Sequence, residues 1–122
     1  MNQSFDVRVA RVYDPFGPGD GARVLVDRLW PRGLTKDAAA LDDWCRPVSP
    51  SNELRTWYAH DPGLFDEFVA RYRDELTDPD RAAALASLRE RCSRQPVTLL
   101  TASKTVDISH AAVLAHILTG GQ

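Results

Sequence analysis

The stretch VLVDRLWPRG, residues 24–33, changes character within one residue. Val24, Leu25 and Val26 read as a core strand, and Asp27, Arg28, Trp30 and Arg32 follow with no spacer. A second segment of this kind is TASKTVDISH, residues 101–110, at the end of the apolar run PVTLL. In open α/β sheets ligands bind beyond the carboxyl ends of the strands. If the two strands are parallel neighbours, the two segments face each other at that edge. Arg28, Arg32 and Lys104 then supply positive charge, and a helix opening at Ser109 aims its free N–H groups and positive dipole end into the gap. That combination suits an anion: a phosphate, a carboxylate or a nucleic-acid backbone. Trp30 offers a flat face for a ring, and Asp27 or His110 would move a proton in any reaction there.

The same residues have plainer uses. Asp27 and Arg28 suit an ion pair that pins the strand end, Trp30 suits a core, and Arg32 and Lys104 suit solvent. His110 suits a bond to a backbone carbonyl. Ser103, Asp107 and His110 include the residue types of a nucleophilic triad, but types within a few residues do not make its geometry. Neither Cys45 nor Cys92 stands at a strand end beside a histidine, so a cysteine nucleophile is poorly supported. There is no GxGxxG, no Walker loop and no metal-ligand spacing. His110 and His116 fall on different faces of one helix. No cofactor and no metal are expected.

The elements that must position these residues follow from periodicity and caps. Residues 7–13 (VRVARVY) alternate apolar and basic, as in a half-buried strand. DPFGPGDGA, residues 14–22, is a loop, and residues 23–28 make a second strand whose apolar run suggests cover on both faces. Thr35 caps a short helix over KDAAAL, and DDWCRP is open between strand and loop. Ser49 and Pro50 read as N-cap and first turn of a helix with Leu54, Trp57 and Tyr58 inward. Asp61 and Pro62 repeat that signal before Leu64, Phe65, Phe68, Val69, Tyr72 and Leu76, with Glu67 and Arg71 paired outward. Thr77 to Asp80 opens a further helix lined by Leu85, Leu88 and Cys92. PVTLLT is a buried strand, and Ser109 caps a last helix that stops at Gly120.

Strands separated by helices predict an α/β fold: one compact domain over residues 1–122, a small, mostly parallel sheet flanked by helices. The link between the first two strands is too short for an ordinary crossover helix, so they are antiparallel or not adjacent. The 122 residues are 43% hydrophobic, enough for a core without staples. The net charge of −2 argues against a general polyanion binder, though not against a local basic pocket. The two cysteines read as apolar thiols. With no signal-like apolar segment near the start and no run long enough to span a bilayer, a cytoplasmic location without membrane contact is expected.

The stretches YDP, DGARVLVDRLWPRGL, SPSNELRTWYAHDP, FVARYRDEL and VTLLTASK resemble, in order and over nearly the whole chain, the YeaO-like family of small bacterial proteins, domain of unknown function 488. The family label carries no established activity. The resemblance implies a compact α/β domain. Longer relatives have a helix between the first two strands, which implies parallel strands here with that helix lost. They also carry a Cys-His-Arg motif at the start of the last helix, where this chain reads Ser109, His110 and Ala111, so no role of that cysteine or arginine carries over. The family motif includes Arg55, Trp57, His60 and Asp61, which adds Arg55 and His60 to the expected ligand-binding set of Arg28, Trp30, Arg32, Lys104 and Ser109. A label of MarR-like transcription regulator attached to some relatives fits poorly, because the chain is acidic and lacks a basic recognition helix at helix-turn-helix spacing.

Three readings compete. The first is an enzyme acting on a phosphorylated or nucleotide-like small molecule, with Arg28, Arg32 and Lys104 holding the anion and Asp27 or His110 moving a proton. The second is a non-catalytic binding or regulatory module for a nucleic acid or a protein. The third is a structural ion-pair network that buries Asp27, Arg28 and Arg55 together. An anionic small molecule is the favoured partner, nucleic acid a lesser one, and the oligomeric state is open.

Overall fold

The computed structural model describes residues 6–17 and 19–120. The segment before residue 6, used above to argue against a signal peptide, and Pro18 of the first loop lie outside them. The chain forms a four-stranded sheet with helices: β1 (Val7–Arg11), β2 (Ala22–Leu25), α1 (Lys36–Ala39), β3 (Asp43–Trp44), α2 (Asn52–Tyr58), α3 (Phe65–Glu75), α4 (Pro79–Cys92), β4 (Val97–Thr101) and α5 (His110–Leu118). The strand order is β1-β4-β2-β3 and every pair is parallel. β1 and β2 are thus parallel and not adjacent. β4 lies between them, and among the described residues of their link there is no helix.

Period-two alternation sorts each strand's side chains onto two faces. Val24, Val26, Val97 and Leu99 point into the larger core with Leu54, Tyr58, Phe68, Tyr72, Leu88 and Leu114. Leu25, Leu100 and Val12 point the other way, onto Ala39, Trp30, Leu34 and Trp44. Covering β2 and β4 on both faces explains their continuous apolar sequence, the mark of buried parallel strands. It also gives Trp30 a packing duty: its ring meets Trp44 edge-on at 5.3 Å, and its indole N–H donates to the Leu34 carbonyl.

Among the described residues one charged side chain is fully buried. Arg23 is buried, and its guanidinium donates to the carbonyls of Ala39 and Ala40 and pairs with Asp20 at 2.9 Å. A buried charge is tolerated only when so partnered, and here the partners tie α1 to β2.

The helix starts follow the caps, with one correction. Ser51, not Ser49, caps α2: its hydroxyl accepts from the Leu54 amide and donates to the Glu75 carboxylate. Ser49 donates instead to the Arg46 carbonyl, closing a 3-10 turn over Arg46–Val48. Thr35, Asp61, Asp78 and Ser109 cap as their residue types suggest. The ambiguous stretch after Asp42 is both things, a two-residue edge strand and that turn. Leu54 and Tyr58 of α2 are buried, whereas Trp57 is half-buried beneath the Arg71 guanidinium, 4.3 Å away.

Both cysteines are free. Burial, with the Asp43 carboxylate adding to it, pushes the Cys45 thiol up to about 11, and burial also raises Cys92. The thiolate is the reactive form, so both side chains should label slowly with an aromatic disulfide reagent at neutral pH and rapidly in denaturant. Fast native labelling of Cys45 would contradict this packing.

Candidate functional site

The carboxyl ends of β2 and β4 open into a cavity of about 590 Å³. Most of its walls come from three segments, residues 27–32 after β2, residues 49–60 across the turn and α2, and residues 101–103 with His110 at the end of β4 and the start of α5, with Tyr13 and Phe68 added. Asp27, Arg28, Trp30, Arg32, Arg55, His60 and His110 all line it. Two expected members do not. Ser109 is buried, and its hydroxyl is spent on the Val106 carbonyl and the Ala112 amide. Lys104 is exposed to solvent and lies outside the walls. The start of α5 therefore offers the His110 ring to the cavity, not the Ser109 cap.

At the inner end Asp27 accepts from the Ala102 amide at 2.8 Å. His110 Nε2 lies 3.0 Å from the Val26 carbonyl and 3.2 Å from Asp27 Oδ1. A carbonyl can only accept, so Nε2 carries a proton, and in the neutral ring Nδ1 is left as acceptor. Oδ1 lies off the N–H line and makes no hydrogen bond of good geometry, so it acts on the ring through charge. Burial would raise the Asp27 carboxyl, but the His110 ring, the Ala102 amide and the Thr101 hydroxyl outweigh it and hold the group below its ordinary 3.8. Asp27 is thus an ionised carboxylate beside the His110 ring, which the Val26 carbonyl orients.

The outer end is basic. Arg28, Arg32 and Arg55 are exposed, and among the described residues none of them makes an ion pair. Arg55 donates only to Asn52, at 3.1 Å. Asp27 is the one carboxylate in the walls, and it faces His110, not Arg28. An Asp27–Arg28–Arg55 network buried under the sheet edge is therefore not what these residues form.

The loops are held in place by side-chain bonds to backbone. Tyr13 donates to the Arg32 carbonyl at 2.9 Å, and Tyr58 donates to the Ile108 carbonyl at 2.7 Å. After α2, Ala59 and His60 are both left-handed, at φ 48° and 57°. Such residues cost about 1–2 kcal/mol each when they carry a Cβ. The turn they make brings His60 Nδ1 to 3.2 Å from the Thr105 hydroxyl. Thr101 and Ser103, from the segment expected at this edge, also line the cavity, and so do Tyr13, Tyr58 and Phe68, which were not expected there. Tyr13 could have been found from the strand-end rule had the order β1-β4-β2 been known. Tyr58 and Phe68 carry no signal beyond that of core residues.

The family model described as "Inactive DUF488-N3 subclade" matches residues 6–121. The chain belongs to this DUF488 family. It is 39% identical over 110 residues to the uncharacterised protein YeaO of Escherichia coli (strain K12), covering 90% of this chain and 94% of that protein. It is 55% identical over 114 residues to the uncharacterised protein Rv3073c of Mycobacterium tuberculosis (strain ATCC 25618 / H37Rv), covering 93% of this chain and 94% of that protein. No solved structure matches the chain significantly. In this DUF488 member the position after His110 is a fully buried alanine, Ala111, so neither residue flanking the histidine reaches the cavity. Among the described residues no helix is long and apolar enough to cross a membrane, and no group of three or more His, Cys, Asp or Glu side chains could hold a metal ion.

Proposed function

We propose that this DUF488 protein binds an anionic small molecule in the cavity at the strand ends, without turning it over, in the cytoplasm. One observation carries the reading: Arg28, Arg32 and Arg55 line a single cavity whose only carboxylate is already directed at His110. Guanidinium groups without a carboxylate partner are available to an anion, which they bind by charge-assisted hydrogen bonds. The description of the matching subclade as inactive agrees with a site in which Ser109 is committed to capping.

The Asp27–His110 couple favours a second reading, an enzyme on a phosphorylated substrate. A carboxylate beside an imidazole whose Nε2 donates to a backbone carbonyl leaves the other ring nitrogen to act as a base. Turnover of a phosphorylated metabolite by the wild type, abolished in His110→Ala with binding retained, would replace the first reading with the second.

The anion is tested by calorimetric titration with inorganic phosphate, beside a sulfate soak of crystals. Arg28→Ala should weaken phosphate binding about tenfold, the range of one charge-assisted bond, and leave the melting temperature unchanged because the side chain is exposed. Equal binding by both proteins, or none by either, would sink the anion pocket.

A further inference from the structure

We infer that the ligand is a phosphate monoester of a planar ring, the chemical class of the nucleoside monophosphates, held with its ring inward and its phosphate at the rim. This rests on the anion-binding reading above. The three cationic side chains, Arg28, Arg32 and Arg55, are all exposed at the mouth. A carboxylate brings one negative charge to such a cluster, whereas a phosphate monoester brings nearly two at neutral pH and three acceptor oxygens. A bare phosphate would leave most of the cavity empty, because 590 Å³ is the size of an organic-ligand site.

The interior is built for a ring. Tyr58 and Phe68 border the cavity as an apolar floor, buried and stacked on each other at 4.1 Å, so the ring face open to a ligand is that of Trp30. Trp30 stands half-buried on the β2 side, its ring fixed by the indole bond to Leu34. Beside these apolar surfaces stand the His110 ring, the Asp27 carboxylate and the Thr101 and Ser103 side chains, polar groups that would select a heterocycle over a plain hydrocarbon. Aromatic walls inside and guanidinium groups outside define the polarity of the ligand.

The test is calorimetry on the full chain with the four common ribonucleoside 5′-monophosphates, the matching nucleosides, ribose 5-phosphate and inorganic phosphate. The same titrations use the double variant Arg28→Ala/Arg32→Ala, whose exposed side chains leave the fold intact. At least one monophosphate should bind about tenfold or more tightly than ribose 5-phosphate, the gain expected from one base on aromatic walls. The double variant should reduce that ligand to the level of its nucleoside and leave nucleoside binding as it was. If ribose 5-phosphate and phosphate bind as tightly as every monophosphate, the ring is overturned and the anion site stands. If nucleosides bind as tightly as their monophosphates, or nothing binds, both readings are overturned.

Discussion

Asp27→Ala should destabilise the protein by about 3 kcal/mol, the cost of removing a half-buried charge that is hydrogen-bonded to backbone and set against the His110 ring. The substitution leaves the Ala102 amide without its acceptor and removes the negative charge beside the His110 ring. Asp27→Asn is the milder test. Its carbonyl oxygen can still accept from Ala102, but its amide group would set a donor against the His110 N–H, so about 1–2 kcal/mol is expected. The pH dependence separates charge from shape. The folded carboxyl titrates below its ordinary value of 3.8, so the unfolded chain takes up the proton first as pH falls. The stabilisation is therefore complete above the ordinary value and disappears as pH drops through the lower, folded one. Thermal melts of wild type and Asp27→Asn should differ by a constant amount from neutrality down to mild acid and converge below about pH 4. A difference unchanged in strong acid would mean that the Asp27 charge contributes nothing.

Gly21→Ala should be at least as damaging, about 3–4 kcal/mol or outright failure to fold. Gly21 has φ +64°, where an added Cβ alone costs about 1–2 kcal/mol. A Cβ there would also fall 2.1 Å from the Pro96 carbonyl oxygen. That oxygen accepts the Ala22 amide, the bond that starts the pairing of β2 with β4. Relief of the clash must push β2 away from β4, and Asp27 and Arg28 follow β2 directly. Gly33→Ala is the control: its φ of +74° carries the same backbone strain, but nothing lies within 4 Å of the added Cβ. Chemical denaturation of the two variants should show a loss for Gly21→Ala larger by about 2 kcal/mol or more. Equal losses would show that the close approach of Gly21 to Pro96 has no energetic weight.

Much of the fold is legible in the chain. The apolar runs at residues 24–26 and 97–100 announce strands covered on both faces, and the sheet covers them with α2 to α5 on one side and with α1 and the Trp30 and Trp44 rings on the other. Helix starts are legible because capping is local: Thr35, Asp61, Asp78 and Ser109 each meet an amide two or three residues ahead. The one misplaced start, Ser49 for Ser51, turned on the Glu75 carboxylate, which reaches Ser51 from 24 positions away. No local rule contains such a contact. The resemblance to the YeaO-like group was equally legible, because motif residues recur in order along the chain and the family match covers residues 6–121.

By itself the sequence determined the α/β class, the strand ends as the place to look, and Asp27, Arg28, Arg32 and His110 as the residues to look at. Composition, periodicity and the position of charges after apolar runs depend on neighbours a few residues apart. Only the tertiary structure decided who faces whom. It set β4 between β1 and β2, gave Asp27 to His110 across 83 positions instead of to its neighbour Arg28, and left Arg28, Arg32 and Arg55 without an ion pair among the described residues. It also turned Lys104 to solvent, buried Ser109, and added Tyr58 and Phe68 to the cavity. The physical reason is the same in each case: successive residues at a strand end point in opposite directions, so adjacency in the chain separates side chains that distant segments then bring to new partners.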